Sequence, residues 1–137
     1  MTPEQTALIQ RTFRSVPRAA AAEMFYARLF ELDPSLRPLF RGDLKRQGDK
    51  LMAVLAVAVE GLGNIEAILP TVESLGARHA GYGVTSDHYE VVGRALLQTL
   101  EKSLGQGFTA DVKNAWSEAY GLLSTTMIRA AGQGAPS

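Results

Sequence analysis

Residues 70–93, PTVESLGARHAGYGVTSDHYEVVG, contain the pattern that most clearly indicates the fold. Val72, Leu75 and His79 recur in it at spacings of three and four residues, which places all three on one face of a helix. We expect Pro70 to begin that helix, because proline is favoured in the first helical turn. The sequence therefore predicts a histidine on the inner face of a helix.

A corner and a second helix are predicted to follow this histidine. Gly81 and Gly83 indicate a break in the chain. Asp87 with Glu90 resembles a capping arrangement for a helix over residues 87–104. The apolar stripe of that helix is Val92, Leu96, Leu100 and Leu104.

The same signals predict helices in the rest of the chain. The expected segments are a first helix opened by Thr2 and Pro3, a second over residues 18–32, a short piece after Asp33-Pro34, a helix over residues 44–62 and a last long helix capped by Thr109. No stretch shows the sustained alternation of a β-strand. We therefore predict an all-α domain of about seven helices over residues 1–131, with residues 132–137 as a flexible tail.

Composition excludes several classes of function. The chain has 137 residues, 46% of them hydrophobic, and its 14 basic and 14 acidic side chains balance. This charge balance gives no electrostatic reason to expect a nucleic acid or an anionic membrane as partner. Cysteine is absent, which removes disulfides and thiolate metal sites and suits the cytoplasm. No targeting or membrane segment is apparent in the sequence.

Two histidines, His79 and His88, limit the metal chemistry that the chain can support. A zinc site made of protein ligands alone usually needs three or four donors, and this pair has no evident third partner. Haem iron needs only one, because the porphyrin supplies four nitrogens. His79 is thus either a hydrogen-bonded core histidine or a haem ligand. His88, beside a helix start, is interpreted as a solvated cap-region residue.

Tyr26 and Gln47 are two further polar side chains that the helical periodicity places on inner faces. Taken singly, Tyr26 is typical of a core tyrosine and Gln47 of a residue that faces water. Together with His79 they bring polar groups from three helices to one interior, where unpaired polar groups are costly. This convergence favours a polar pocket within the core.

A cluster of cations surrounds the loop before the helix over residues 44–62. Its members are Arg41, Lys45, Arg46 and Lys50. The cluster is interpreted as a solvated face, with the alternative that one of its cations pairs with a haem propionate.

Several short segments, in this order and at this spacing, resemble the globins. They are Phe25 to Phe30, Asp33-Pro34 through Leu39-Phe40, Ala77-Arg78-His79 with Gly83-Val84, His88-Tyr89 with Val92-Gly93, and Ala115-Trp116 with Ala119-Tyr120-Gly121. The resemblance is to bacterial single-domain haemoglobins and to the globin domain of flavohaemoglobins. It covers residues from about Glu4 to Ile128 and implies a globin fold that encloses a haem pocket.

The resemblance also implies a role for each site residue. His79 would be the proximal ligand of the iron of haem b, and Tyr26 and Gln47 would be the distal hydrogen-bond donors. The remaining contacts to haem would come from Phe40 against its face, Leu51 above the iron, Val84 at its edge and Tyr89 beside the proximal histidine. In this family a glutamate of the last helix also supports the proximal histidine, whereas residues 129–132 of this chain contain no carboxylate.

The implied function is reversible, high-affinity binding of oxygen for storage, scavenging or transport. Neutral donors such as a tyrosine hydroxyl and a glutamine amide stabilise bound oxygen more than carbon monoxide, because oxygen gains more negative charge on iron. Nitric oxide is a further expected gas ligand. The alternatives are a nitric oxide dioxygenase that depends on an external reductase, and a haem-free helical sensor or interaction domain.

Overall fold

The computed structural model describes residues 1–40, 42–81 and 84–134. The described residues form six α-helices: α1 (Pro3–Ser15), α2 (Arg18–Leu32), α3 (Leu44–Glu60), α4 (Ile65–Gly81), α5 (Ser86–Leu104) and α6 (Ala110–Gly134). Short 3₁₀ segments cover Pro34–Leu39, Gly61–Asn64 and Gly105–Gly107, and these ranges contain no strand. The predicted all-α class is confirmed, with six α-helices where about seven were expected.

Capping residues define the first and last helices as predicted. The Thr2 hydroxyl accepts the Gln5 backbone N–H at 3.1 Å, and the Gln5 side-chain carbonyl accepts the Thr2 N–H at 3.0 Å. At the start of α6 the Thr109 hydroxyl accepts the Val112 N–H at 3.2 Å. Each bond satisfies a backbone donor that the first helical turn cannot pair.

The prediction that Pro70 begins a helix is wrong, because Pro70 lies inside α4. The 3₁₀ segment Gly61–Asn64 leads directly into α4 at Ile65. Proline lacks an N–H, so at this position it omits the single bond to the Glu66 carbonyl while the rest of the helix continues.

The start of α5 also differs from its prediction. Thr85, and not Asp87, is the capping residue, and the Thr85 backbone N–H donates to Nδ1 of His88 at 3.0 Å. The expected pairing of Asp87 with Glu90 is therefore wrong. Gly81 and Gly83 were predicted to break the chain between α4 and α5. Gly81 is the last residue of α4, and Gly83 lies outside the described residues. At the other end, α6 reaches Gly134, and residues 135–137 lie outside the described residues.

Helix α6 is the packing partner of α4 and α1, while α2 packs against α3 and α5. A glycine permits the close approach of α4 to α6. A side chain on Gly76 would collide with the backbone of Met127, so the two backbones of α4 and α6 touch at this point. Ile9, Leu29 and Leu36 are the largest fully buried side chains of the described core.

The continuous stretch Leu44–His79 is long and apolar enough, by length and composition, to cross a membrane. It comprises α3, a 3₁₀ segment and α4. Its apolar side chains Leu51, Leu55, Val72 and Leu75 line an internal cavity. The contact of α3 and α4 with this cavity accounts for the apolar composition of the stretch.

The buried hydrogen bond between α1 and α6 gives a test of the packing. Trp116 donates its indole N–H to the Thr12 hydroxyl at 2.9 Å, and both side chains are buried. In Thr12→Val the indole N–H keeps its position but loses its acceptor, so we expect the free energy of unfolding to fall by about 1–3 kcal/mol. Urea unfolding of the protein measures this change.

Thr126→Val is the matched control, because the Thr126 hydroxyl bonds only the Leu122 carbonyl of its own helix at an exposed site. We expect this substitution to change the free energy of unfolding by less than about 0.5 kcal/mol. Equal losses in the two variants would contradict a specific role for the bond between Trp116 and Thr12.

Candidate functional site

A cavity of about 880 Å³ lies between the helices, and each of the six contributes to its lining. The lining is mostly aliphatic and aromatic, which is the usual composition of a site for an organic cofactor. All seven residues expected from the sequence to form the site line this cavity: Tyr26, Phe40, Gln47, Leu51, His79, Val84 and Tyr89. The structure therefore brings together side chains from α2, α3, α4 and α5 and from the segments around Phe40 and Val84.

His79 is half-buried near the carboxyl end of α4. Its Nδ1 lies 2.6 Å from the carbonyl oxygen of Leu75, one turn earlier. Because a carbonyl oxygen can only accept, Nδ1 must carry the hydrogen, and in the neutral ring Nε2 then holds a lone pair. The hydrogen bond thus selects the tautomer that can ligate a metal through Nε2.

A backbone hydrogen bond links Val84 to this histidine. The Val84 backbone N–H donates to the His79 carbonyl at 3.1 Å, which holds Val84 close to the end of α4. The rings of His79 and Tyr89 lie with their centroids 6.4 Å apart and their planes tilted by 34°. Val84 and Tyr89 therefore form the cavity wall beside His79.

Tyr89 contains an unsatisfied polar atom. Its hydroxyl is buried and has no hydrogen-bond partner among the described residues, and burial raises the pKa of the phenol. The Tyr89 carbonyl accepts the Tyr120 hydroxyl at 2.6 Å. Burial, with a smaller contribution from Tyr89, raises the pKa of Tyr120 well above its usual range, so Tyr120 remains a donor.

Gly93 makes the contact between α5 and Tyr120 possible. A Cβ atom at position 93 would lie 2.7 Å from Cε2 of Tyr120, closer than atoms can pack. The glycine therefore lets the Tyr120 ring approach α5 and reach the Tyr89 carbonyl.

Tyr26 belongs to a group of packed aromatic rings at another part of the lining. Its ring lies edge-on to Phe25 at 5.3 Å and to Phe40 at 5.4 Å, and it stacks on Phe30 at 6.1 Å between centroids. Burial raises the pKa of the Tyr26 hydroxyl, so the group is a neutral hydrogen-bond donor at physiological pH. Packing on three sides fixes the direction of this donor.

Gln47 and Leu51 lie one turn apart on α3, and both are half-buried at the cavity. Gly48 sets their distance from α2, because a Cβ atom there would lie 3.0 Å from the Ala22 Cβ and 3.6 Å from Cε2 of Tyr26. The small residue therefore brings α3 close to α2 and places Gln47 in the same region of the cavity as Tyr26.

The cation cluster is divided by the fold. All three described members, Lys45, Arg46 and Lys50, are exposed, but only Lys50 also lines the cavity. Arg41 lies outside the described residues. Among the described members of the cluster, Lys50 is thus the one placed to meet a cavity ligand.

The sequence interpretation of His88 is corrected by the structure. His88 does belong to the helix cap, but it is half-buried and lines the cavity rather than being solvated. A sequence signal for this existed, since His88, Val92 and Leu96 recur at intervals of four and all three line the cavity. Tyr120 and Met127 of α6 also line it and were not assigned to the site from the sequence.

Over the described ranges, no group of three or more His, Cys, Asp and Glu side chains could hold a metal ion. His79 and His88 both line the cavity, and the hydrogen bond at Nδ1 of His79 leaves that ring in the tautomer that can ligate a metal through Nε2. This arrangement fits a cofactor that supplies most of the metal ligands itself and needs one axial histidine. The class defined by fold and site is therefore an all-α protein with a haem-type pocket.

A model of the globin family matches residues 23–127, and the chain belongs to the globin family. The predicted resemblance and the predicted globin fold are thereby confirmed. Membership of the family implies that the chain binds haem.

The curated relatives include flavohemoproteins. The chain is 32% identical over 133 residues to the flavohemoprotein of Bordetella parapertussis and 33% identical over 135 residues to that of Chromobacterium violaceum. In each case the match covers 93% of this chain and 33% of the relative. The chain thus spans about a third of the length of these curated relatives.

Solved structures share the whole fold. A bacterial globin from Campylobacter jejuni superposes with a TM-score of 0.85 at 23% identity, over 96% of this chain and 97% of its own. An engineered carbene transferase, described as a candidate nitric oxide dioxygenase from Rhodothermus marinus, superposes with a TM-score of 0.86 at 25% identity, over 97% of this chain and 94% of its own.

Proposed function

We propose that this globin binds haem b in its cavity, with His79 as the one protein ligand of the iron, and captures oxygen reversibly with high affinity. The observation that carries the proposal is the hydrogen bond from Nδ1 of His79 to the Leu75 carbonyl at 2.6 Å. It leaves Nε2 as the nitrogen able to bind a metal, in a side chain that lines the cavity.

The residues present fit the cofactor. The cavity volume of about 880 Å³ lies within the range of roughly 300–1,000 Å³ that is usual for cofactor sites. Phe40, Leu51 and Val84 offer apolar surfaces for a flat ring. When bound, haem would supply an iron that His79 could ligate and that could take up a diatomic gas.

His79 has a neutral hydrogen-bond partner in this chain. The Leu75 carbonyl orients the imidazole but carries no full charge, and a carbonyl draws the Nδ1 proton less strongly than a carboxylate. We infer that His79 donates less electron density than a carboxylate-supported histidine. This property suits reversible binding better than peroxidase chemistry.

Tyr26 and Gln47 act as hydrogen-bond donors to the captured gas. The raised pKa of Tyr26 keeps its hydroxyl protonated, and the packing of its ring fixes its direction before the ligand arrives. Oxygen accepts hydrogen bonds better than carbon monoxide, and each bond in a site shielded from water contributes about 1–1.5 kcal/mol. Leu51 and Phe40, which also line the cavity, help to shield this site from water.

Nitric oxide dioxygenation with an external reductase is the alternative function. The flavohemoprotein relatives and the Rhodothermus marinus structure favour it. The same side chains would serve both functions, since each begins with oxygen held beside Tyr26 and Gln47. We place the protein in the cytoplasm, with residues 1–131 as the globin domain and residues 132–137 as its tail.

Haemin titration of the wild type and of His79→Gly tests the proximal role. We expect the wild type to take up one haemin with a Soret band, to give a five-coordinate ferrous spectrum on reduction and to give an oxygenated spectrum in air. The glycine variant should lose or alter these spectra, and added imidazole should restore them because it fits the space left by the side chain. A colourless wild type, or a variant with unchanged spectra, would contradict the proposal.

Tyr26→Phe tests the distal donor. The substitution removes the hydroxyl and keeps the ring packing, so we expect oxygen to dissociate about tenfold faster, which corresponds to the loss of about 1.4 kcal/mol. Stopped-flow kinetics measures the rate, and the dissociation of carbon monoxide is the internal control, expected to change less than about threefold. Equal changes for the two gases would indicate a steric effect instead.

Nitrate formation separates the two candidate functions. With oxygenated protein and nitric oxide but no reductant, we expect at most one nitrate for each haem. Many turnovers upon addition of a flavin reductase and a nicotinamide donor would establish the dioxygenase. Protein that stays ferric under those conditions would leave oxygen binding as the function.

A further inference from the structure

The polar groups of the cavity lining fall into two sets. In the first set, each side chain donates to another part of the protein: Thr99 to the Ala95 carbonyl, Ser124 to the Gly121 carbonyl, Trp116 to the Thr12 hydroxyl and Tyr120 to the Tyr89 carbonyl. The second set comprises the side chains to which a role toward the cavity ligand has been given, namely Tyr26, Gln47, Lys50, His79 and Tyr89, together with His88, which has no such role so far.

Charge in the lining has one sign. Among the described residues that line the cavity there is no aspartate or glutamate, while Lys50 is a cation. The acidic neighbours Asp49, Asp87 and Glu90 are exposed and do not belong to the lining. An apolar cavity with this charge distribution suits a ligand with an apolar body and an anionic group.

The cap of α5 fixes the protonation pattern of His88. Because the Thr85 backbone N–H donates to Nδ1 at 3.0 Å, Nδ1 holds a lone pair, and the neutral ring carries its hydrogen on Nε2. Val92 and Leu96 continue the same helical face into the cavity. The ring nitrogen of His88 that the helix cap leaves available is therefore an N–H donor.

We propose that His88 anchors a carboxylate of the cofactor, with its Nε2–H donating to a haem propionate and Lys50 of α3 contributing positive charge at the cavity. This inference rests on the proposed function, because it takes the cavity ligand to be haem b, which carries two propionates. His88 is half-buried and Lys50 is exposed, and both line the cavity. Side chains at such positions can contact the propionates, which form the polar end of an otherwise buried haem.

Two substitutions at position 88 separate the anchor from the helix cap. An asparagine oxygen can replace Nδ1 as the acceptor for Thr85, but the side chain is too short to replace Nε2. A glutamine amide can replace the Nε2–H donor. We therefore expect His88→Asn to release haemin about three- to tenfold faster than the wild type, and His88→Gln to stay within about twofold of it.

Haemin dimethyl ester provides the decisive control, because both of its carboxylates are blocked. Release of haemin and of the ester to an excess of an apoglobin acceptor is measured for each variant. The proposal expects the asparagine variant to release the ester at the wild-type rate. Lys50→Met should likewise accelerate the release of haemin alone. Lys45→Met, on the same helix but outside the cavity lining, should change neither rate.

The outcomes distinguish this proposal from the function on which it rests. Faster release of haemin and ester alike from His88→Asn would assign His88 to the architecture of the pocket and overturn the carboxylate anchor. Unchanged release of both would also overturn it, with the haem site intact. A wild type that binds neither haemin nor the ester would overturn the proposed function itself.

Discussion

The direct approach of α4 to α6 is the constraint on which the site depends. At Gly76 the backbone of α4 meets the backbone of Met127, and a larger residue would force the helices apart. His79 follows one turn later on α4, so its depth in the cavity is set by that contact. Gly48 acts similarly between α3 and α2. Positions without side chains therefore determine where the functional side chains lie.

Features that depend on residues within one helical turn could be predicted from the sequence. The caps at Thr2 and Thr109 follow from side chains that bond the nearest backbone N–H groups, and the structure contains both. The prediction of a helix start at Pro70 is wrong, because its missing N–H removes only one hydrogen bond of the helix. The helix begins five residues earlier, at Ile65, directly after the segment Gly61–Asn64. Proline marks a boundary only when the surrounding chain also ends the helix.

Those residues of the site that lie on the inner face of a helix could be predicted from helical periodicity. Tyr26, Gln47 and His79 all line the cavity, because inward positions recur every three to four residues in any packed helix. The position of the α5 cap was the information missing for His88. The approach of Gly76 to Met127 joins residues 51 positions apart, and no local pattern encodes such a contact.

The two histidines show how backbone partners assign chemistry to identical side chains. Nδ1 of His79 faces a carbonyl oxygen and must donate, whereas Nδ1 of His88 faces an N–H and must accept. The first ring consequently presents a lone pair at Nε2 and the second a hydrogen. One suits a metal cation and the other an anion, so the cofactor proposed for this cavity would meet both at once. The backbone group that bonds each histidine is thus part of the site.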